Sequence, residues 1–224
     1  MTLRRRTLWL IAFSIAMGFL ETAVVVYLRL LYYPNGFEFP LVVLNPKVGV
    51  IEIFREAATV VMLLGVGVLA GNNSRQRLAF FMMAFAVWDL CYYLFLKLLL
   101  GWPASLFTWD ILFLIPAPWV GPVLSPVIVC FIMLAFSTVL LLNDRSSTSV
   151  GSRNWLLIIP GCTVVIFSWM WDYVRYSGRI TDPPDKALES LATYVPNEFN
   201  WWLFSFGIVL MMAAIVLYWK DTRR

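Results

Sequence analysis

Ten ionisable side chains lie within or at the ends of the most apolar stretches of this sequence. Carboxylates in such places can act as general acid and base, ligate a divalent cation or carry a proton, and guanidinium groups can hold a phosphate or carboxylate. An ionised side chain near the bilayer centre costs at least about 2.5–3.5 kcal/mol, so such groups usually face protein, a partner or a water-filled cavity. We therefore expect any function to lie among them. The acids are Glu21, Glu52, Glu56, Asp89, Asp110 and Asp172, and the bases are Arg29, Arg55, Lys97 and Arg175.

Composition indicates which elements must position these groups. The chain has 224 residues, of which 61% are hydrophobic and 13% are charged, and its mean hydropathy is +0.80. Soluble domains have about 25% charged residues, so this composition is typical of an integral membrane protein. Short polar connections join the apolar runs and leave no stretch for a separate soluble domain. We predict an all-α fold, a polytopic membrane helix bundle, with residues 1–224 forming a single integral membrane domain.

Missing residue types and motifs exclude several kinds of site. The sequence has no histidine, which excludes haem with histidine ligation, histidine-ligated zinc and serine–histidine catalysis within this chain. Neither a GxxxxGKS/T loop nor a GxGxxG motif is present, so no nucleotide cofactor is predicted. Cys91, Cys130 and Cys162 lie in apolar runs without metal-type spacing and are interpreted as small buried hydrophobic residues. Beyond these exclusions, the sequence leaves the cofactor unknown.

Six apolar runs reach or approach the length of about 20 residues that a spanning helix needs. Arg4, Arg5 and Arg6 precede the first run, which is long and contains Glu21, so an uncleaved first helix is favoured over a secretory signal. The fifth run is the shortest and carries Pro160 in its first turns. The predicted spans are residues 8–32, 48–70, 78–100, 123–142, 155–171 and 201–219.

The distribution of charge predicts the orientation. Lysine and arginine concentrate in the cytoplasmic connections of membrane proteins. With a cytoplasmic amino terminus, 10 of the 17 basic residues but only Asp144 and Asp221 among the 13 acidic ones lie on that side. We predict a plasma (inner) membrane protein with both termini cytoplasmic, and this topology explains the net charge of +4 better than nucleic-acid binding does. The ten basic residues are Arg4, Arg5, Arg6, Arg75, Arg77, Arg145, Arg153, Lys220, Arg223 and Arg224.

Residues 101–126 interrupt the helical pattern on the outer side. Four prolines break an apolar run that is too long for one ordinary span. We predict a short helix over residues 106–115, a non-helical break and then the fourth span. The broken segment is either re-entrant at membrane depth or interfacial. The prolines are Pro116, Pro118, Pro122 and Pro126.

Two further irregular segments are predicted on the outer side. Residues 33–47 form the first loop, and residues 172–200 form the longest one. A short helix is predicted over residues 185–194 of the longer loop. This loop is long enough to act as a lid, and a solvated loop without such a role is the alternative.

On this topology the charged groups all fall between the middle of the membrane and its outer boundary. Glu52, Arg55 and Glu56 follow an i, i+3, i+4 spacing and therefore share one face of the second helix. Glu21 lies near mid-depth in the first helix, and Asp89 lies somewhat outside the middle of the third. The inner half instead carries small residues suited to helix packing. The predicted pocket comprises Glu21, Arg29, Glu52, Arg55, Glu56, Asp89, Tyr93, Lys97, Asp110, Asp172 and Arg175.

The same charges also have a structural interpretation, in which ion pairs fix the register of the helices. Six acids against four bases leave two negative charges without a partner. That surplus favours a carboxylate that binds a proton or attracts a cation. The predicted structural pairs are Arg55 with Glu56, Glu21 with Arg29, and Asp89 with Lys97.

Three functions are compatible with this pattern. The leading one is an outer-leaflet membrane enzyme or binding protein for a lipid-linked or small polar substrate. On the predicted topology the charged residues lie on one side of the membrane. This distribution favours the enzyme or binding protein over a small proton- or cation-coupled secondary transporter. A non-catalytic subunit or assembly factor that docks a membrane protein partner is the third. The expected partners are therefore the lipid bilayer, a lipid or small polar ligand, or another membrane protein, and no nucleic acid.

Overall fold

The computed structural model describes residues 1–143, 150–178 and 192–223. Within those ranges, six helices are long and apolar enough to cross a membrane, and the only sheet has two strands. The predicted all-α membrane bundle is thereby confirmed. The helices are α1 (Leu3–Tyr32), α2 (Pro46–Ala70), α3 (Ser74–Leu100), α4 (Leu124–Leu142), α5 (Ser152–Ser177) and α6 (Trp201–Asp221).

Most helices are longer than their apolar runs because polar residues extend and cap them. The hydroxyl of Thr2 accepts a hydrogen bond from the backbone N–H of Arg5, so α1 begins before the apolar run. The side chains of Asn45 and Asn73 cap α2 and α3 in the same way. Helix α5 contains Pro160 in its interior, which membrane helices tolerate. Hydropathy thus located the six spans but underestimated the length of five of them, α4 being the exception.

The short helix predicted over residues 106–115 is not formed, since this segment belongs to a β-hairpin. Strand β1 (Trp109–Phe113) pairs in an antiparallel manner with β2 (Trp119–Pro122), and Asp110 lies opposite Gly121. Aromatic and β-branched residues favour strands, and the prolines between the strands exclude a continuous helix. The hairpin leads directly into α4. The helix predicted over residues 185–194 lies mostly outside the described residues, as do Asp144, Arg145 and Arg224.

Helix α3 is the centre of one half of the fold. It packs against α1, α2 and α4, whereas α1 and α2 scarcely touch each other. The other half consists of α5 and α6. Helix α4 contacts α6 and the hairpin contacts α5, and these contacts connect the two halves. We call the end of the bundle that carries the β-hairpin the hairpin end. At the opposite end, Arg6 donates to the carbonyl of Ala70 at 2.7 Å and to Oε1 of Gln76 at 3.2 Å.

Apolar side chains fill the half of the bundle away from the hairpin. One buried cluster joins α1, α2 and α3, with Leu63 and Phe80 fully buried and Leu10 2% exposed. A second joins α3, α4 and α6 around Leu140 and Tyr218. Burial of such side chains together with their close packing holds this half closed. The part of the bundle away from the hairpin is therefore tightly packed and apolar, and it adjoins the hairpin end.

Two glycines of α2 give a matched test of this packing. A Cβ on Gly67 would lie 2.8 Å from the backbone nitrogen of Phe81, whereas a Cβ on Gly65 would meet nothing within 4 Å. We expect Gly67→Ala to lower the free energy of unfolding by about 1–3 kcal/mol, because the backbone of α3 cannot yield easily. Gly65→Ala should leave it unchanged or raise it by up to about 1 kcal/mol. Steric trapping in bicelles measures both, and equal effects would contradict the close α2–α3 approach.

Candidate functional site

A cavity of about 380 Å³ lies at the hairpin end, between α1, α2, α3, the hairpin and the loop that joins α1 to α2. It contains most of the charge predicted to lie in the membrane. Eight of the eleven predicted pocket residues line it, although they come from four separate elements. These are Glu21, Arg29, Glu52, Arg55, Glu56, Asp89, Tyr93 and Asp110.

Arg55 is the charged link between α1 and α2. Its Nη1 pairs with Oε1 of Glu21, and its Nε and Nη2 both lie 2.8 Å from Oε2 of Glu52. The hydroxyl of Thr59 donates to the other oxygen of Glu21 at 3.3 Å. A guanidinium group suits this role because its planar fork can serve two carboxylates at once. Arg55 therefore joins two helices that otherwise make almost no contact.

A second charged group lies where α1 meets the hairpin. Arg29 is 7% exposed, and its Nη2 lies 3.5 Å from Oδ1 of Asp110. Its guanidinium carbon lies 3.7 Å from the ring centroid of Trp102 and 4.4 Å from that of Phe37. Nη1 is buried and has no hydrogen-bond partner among the residues that the structure describes, so aromatic faces provide much of the stabilisation of this cation. Tyr93 donates to Oδ2 of Asp110 at 3.2 Å.

The electrostatics of Asp110 follow from its burial, since it lies outside the spanning helices and is only 2% exposed. Burial raises the pKa of this carboxyl from 3.8 to about 6, although Arg29 and the hydrogen bond from Tyr93 act in the opposite direction. Burial likewise raises the pKa of Tyr33, whose hydroxyl oxygen accepts from the backbone N–H of Val42 at 2.9 Å. Tyr33 thus stays neutral and holds the α1–α2 loop against the cavity.

Glu56 and Asp89 line the cavity without forming a salt bridge in the described residues. Oε2 of Glu56 accepts from the backbone N–H of Leu114 at 2.8 Å, which ties the hairpin to α2. Oδ2 of Asp89 accepts from the thiol of Cys130 at 3.2 Å. The second oxygen of each carboxylate has no partner within the described ranges. Among the described residues, these are the two cavity carboxylates that have an unpartnered oxygen and no salt bridge.

Three predicted pocket residues lie elsewhere. Lys97 donates to the carbonyls of Gly101 at 3.0 Å and Pro103 at 2.8 Å, where it caps the end of α3. Oδ2 of Asp172 accepts from the hydroxyl of Tyr194 at 2.8 Å and from the backbone N–H of Asn197 at 3.2 Å. Asp172 and Arg175 line a separate groove of about 680 Å³.

The structural ion pairs predicted from sequence proximity are also replaced by others. None of the three predicted pairs is a salt bridge in the described residues. The one salt bridge between close neighbours joins Arg55 to Glu52 and was not predicted. The partners of two arginines instead come from distant segments, 34 residues away for Arg55 and 81 residues away for Arg29. Lys97 has no acidic partner in the described residues.

Apart from Tyr93, the predicted pocket omitted the aromatic and loop residues that line the cavity. Tyr92 is one turn beyond Trp88 on α3, and their i, i+4 spacing next to Asp89 was a usable signal. The loop contributes Tyr33 and Phe37, for which closeness to Arg29 in sequence was the only hint. The amide of Leu114 carries no signal in a sequence, because any residue except proline could supply it.

The arrangement can bind an amphiphile, exchange protons or position two carboxylates for acid–base chemistry. Within the described residues, no group of three or more cysteine, aspartate or glutamate side chains is placed to hold a metal ion. Fold and site together define a multi-pass membrane protein with a charged cavity at one end of its helix bundle. No family model, curated protein or solved structure matches the chain.

Proposed function

We propose that the protein takes a lipid-like amphiphile from the bilayer into the cavity, either to bind it or to act on it as an enzyme. The cavity carries this proposal, because it combines apolar walls with charged groups. Its volume of about 380 Å³ is within the range of small-molecule sites. Val25, Leu28, Leu41 and Ile53 supply apolar wall, and Glu56 and Asp89 supply polar groups. A ligand with an apolar tail and a polar head fits both.

The packing of the helices supports entry from the bilayer. The cavity wall is built partly by α1 and partly by α2, yet these helices scarcely contact each other. The main link across this wall is the pairing of Arg55 with Glu21. An amphiphile could therefore pass between α1 and α2 with its tail remaining in the hydrocarbon.

The apolar cluster beneath the cavity favours binding or chemistry over transport. Leu63 and Phe80 are fully buried between the cavity and the opposite end of the bundle. A transported ion or solute would need polar groups along that route. With the positive-inside orientation, the hairpin end faces outward and the ligand comes from the outer leaflet of the plasma membrane. An enzymatic role would use Glu56 and Asp89 as the acid and base.

A substitution that fills the cavity tests this proposal. Leu28 lines the cavity, whereas Leu31 on the same helix is 76% exposed towards the surroundings. We expect Leu28→Trp to weaken binding of 1-monolauroylglycerol by at least about tenfold, because the indole occupies the space of the tail. Leu31→Trp should bind this probe as the wild type does. Native mass spectrometry in a nonionic detergent measures both, and equal binding to the two variants would overturn the proposal.

A further inference from the structure

We propose that the head group of this amphiphile is a cation, of the alkylammonium class, held by Glu56 and Asp89. This inference rests on the proposed function and specifies its ligand. It follows from the charges around the cavity, from their pairing and from the aromatic lining.

The cavity has more negative than positive groups. Five carboxylates line it, against two guanidinium groups. Lys97, which the sequence placed with them, instead binds backbone carbonyls outside the cavity. A cationic ligand would reduce this surplus, whereas an anionic ligand would add to it.

Both guanidinium groups are already engaged. Arg55 pairs with Glu21 and Glu52, and Arg29 pairs with Asp110 between two aromatic rings. The charge of each is therefore already opposed by at least one acid, although Nη1 of Arg29 has no hydrogen-bond partner in the described part of the chain. The carboxylates with no basic partner in the described residues are therefore the two remaining ones.

Glu56 and Asp89 are these two groups. Glu56 is only 8% exposed, and one of its oxygens is used by the amide of Leu114. One oxygen of Asp89 is used by the thiol of Cys130. Both residues line the cavity, and the second oxygen of each has no partner among the residues that the structure describes. The two side chains come from α2 and α3, so the cavity has a carboxylate without a salt bridge on each of two helices.

Aromatic rings provide a second and independent reason for a cation. Ammonium groups bind well over aromatic faces, especially where water is excluded. The same surroundings already hold one cation in this way, since the guanidinium of Arg29 lies 3.7 Å from the ring centroid of Trp102. The aromatic residues lining the cavity are Tyr33, Phe37, Trp88, Tyr92, Tyr93, Phe113 and Tyr173.

A series of probes with one tail and different heads tests the inference. Dodecyltrimethylammonium, 1-monolauroylglycerol and dodecyl phosphate are titrated separately against the full-length protein in a nonionic detergent and followed by native mass spectrometry. We expect the ammonium probe to bind at least about tenfold more tightly than the neutral one, because one favourable charge interaction in a dry site reaches about 1.4 kcal/mol. Dodecyl phosphate should bind most weakly.

Substitution of the two acids identifies the site of the effect. Glu56→Gln keeps an acceptor for the Leu114 amide, and Asp89→Asn keeps one for Cys130, so each removes charge with little change of shape. Either should weaken the ammonium probe by about tenfold and change 1-monolauroylglycerol much less, because the amide still offers hydrogen bonds to a neutral head. Glu38→Gln removes an exposed acid of the α1–α2 loop that does not line the cavity. It controls for general attraction and should change neither probe.

The outcomes separate this inference from the proposed function. If 1-monolauroylglycerol binds, and Leu28→Trp abolishes that binding, but the ammonium probe is no tighter, the cation inference fails and the proposed function stands. The cation inference also fails alone if the ammonium preference survives both acid substitutions, or if Glu38→Gln removes it equally. If no probe binds, both fail.

Discussion

Arg55→Met is expected to lower the free energy of unfolding by about 3–5 kcal/mol. The change leaves Glu21 and Glu52 without their shared cation, and removing one partner of a buried ion pair strands the other charge in an apolar environment. It also removes the link between α1 and α2, which have little other contact. Steric trapping in bicelles measures the free energy, and Arg55→Lys should lie between wild type and Arg55→Met because it keeps charge but not the fork.

Removal of the stranded charges provides the control. The triple variant Arg55→Met, Glu21→Gln, Glu52→Gln should recover much of the loss, because no unpaired ion from this group is left in the bundle. Arg153→Met, at an exposed position near the start of α5, should change stability by about 0.5 kcal/mol or less. If Arg55→Met resembled Arg153→Met, the link between the helices would contribute no measurable stability.

Local spacing predicted what lies on one helix and failed for what joins two elements. The i, i+3, i+4 pattern placed Glu52, Arg55 and Glu56 together on α2, and all three line the cavity. The pair predicted between Glu21 and Arg29 is not formed. Residues eight apart on a helix are about 12 Å apart along its axis, so each side chain meets a closer partner on a neighbouring element.

The hairpin was missed for a related reason. An apolar run of about ten residues is compatible with a helix or with a strand, and periodicity alone does not decide between them. Pairing with β2 decides it, together with the bond from the Leu114 amide to Glu56, which is 58 residues away. The predicted pocket included Asp172 and Arg175. The rotation of α5 about its axis instead turns Tyr173 towards the cavity, whereas Asp172 and Arg175 line the other groove. Hydropathy cannot specify that rotation.

Asp110→Leu is expected to destabilise the protein by about 3 kcal/mol or more at pH 7. It leaves Arg29 buried without an anion and removes the acceptor of the Tyr93 hydroxyl. The rings of Phe37 and Trp102 still stabilise the guanidinium, which keeps the loss near the lower limit for a broken buried pair. Equilibrium unfolding by steric trapping measures it. Asp110→Asn keeps an acceptor for Tyr93 and removes the buried negative charge, so its stability at pH 7 should be at least close to that of wild type. A loss as large as that of Asp110→Leu would mean that the missing charge accounts for the whole effect.

The stability difference between wild type and Asp110→Asn, measured against pH, reveals whether burial or the attraction of Arg29 dominates the pKa of Asp110. Burial raises the pKa of its carboxyl from 3.8 to about 6, so the folded protein binds this proton more tightly than the unfolded chain does. The associated stability is fully present below pH 3.8 and is lost as pH rises towards about 6. The stability of wild type minus that of Asp110→Asn should therefore increase as pH falls through this window. A decrease would mean that Arg29 outweighs burial and that the folded-state pKa is lowered, in which case the hairpin is held chiefly by an ion pair.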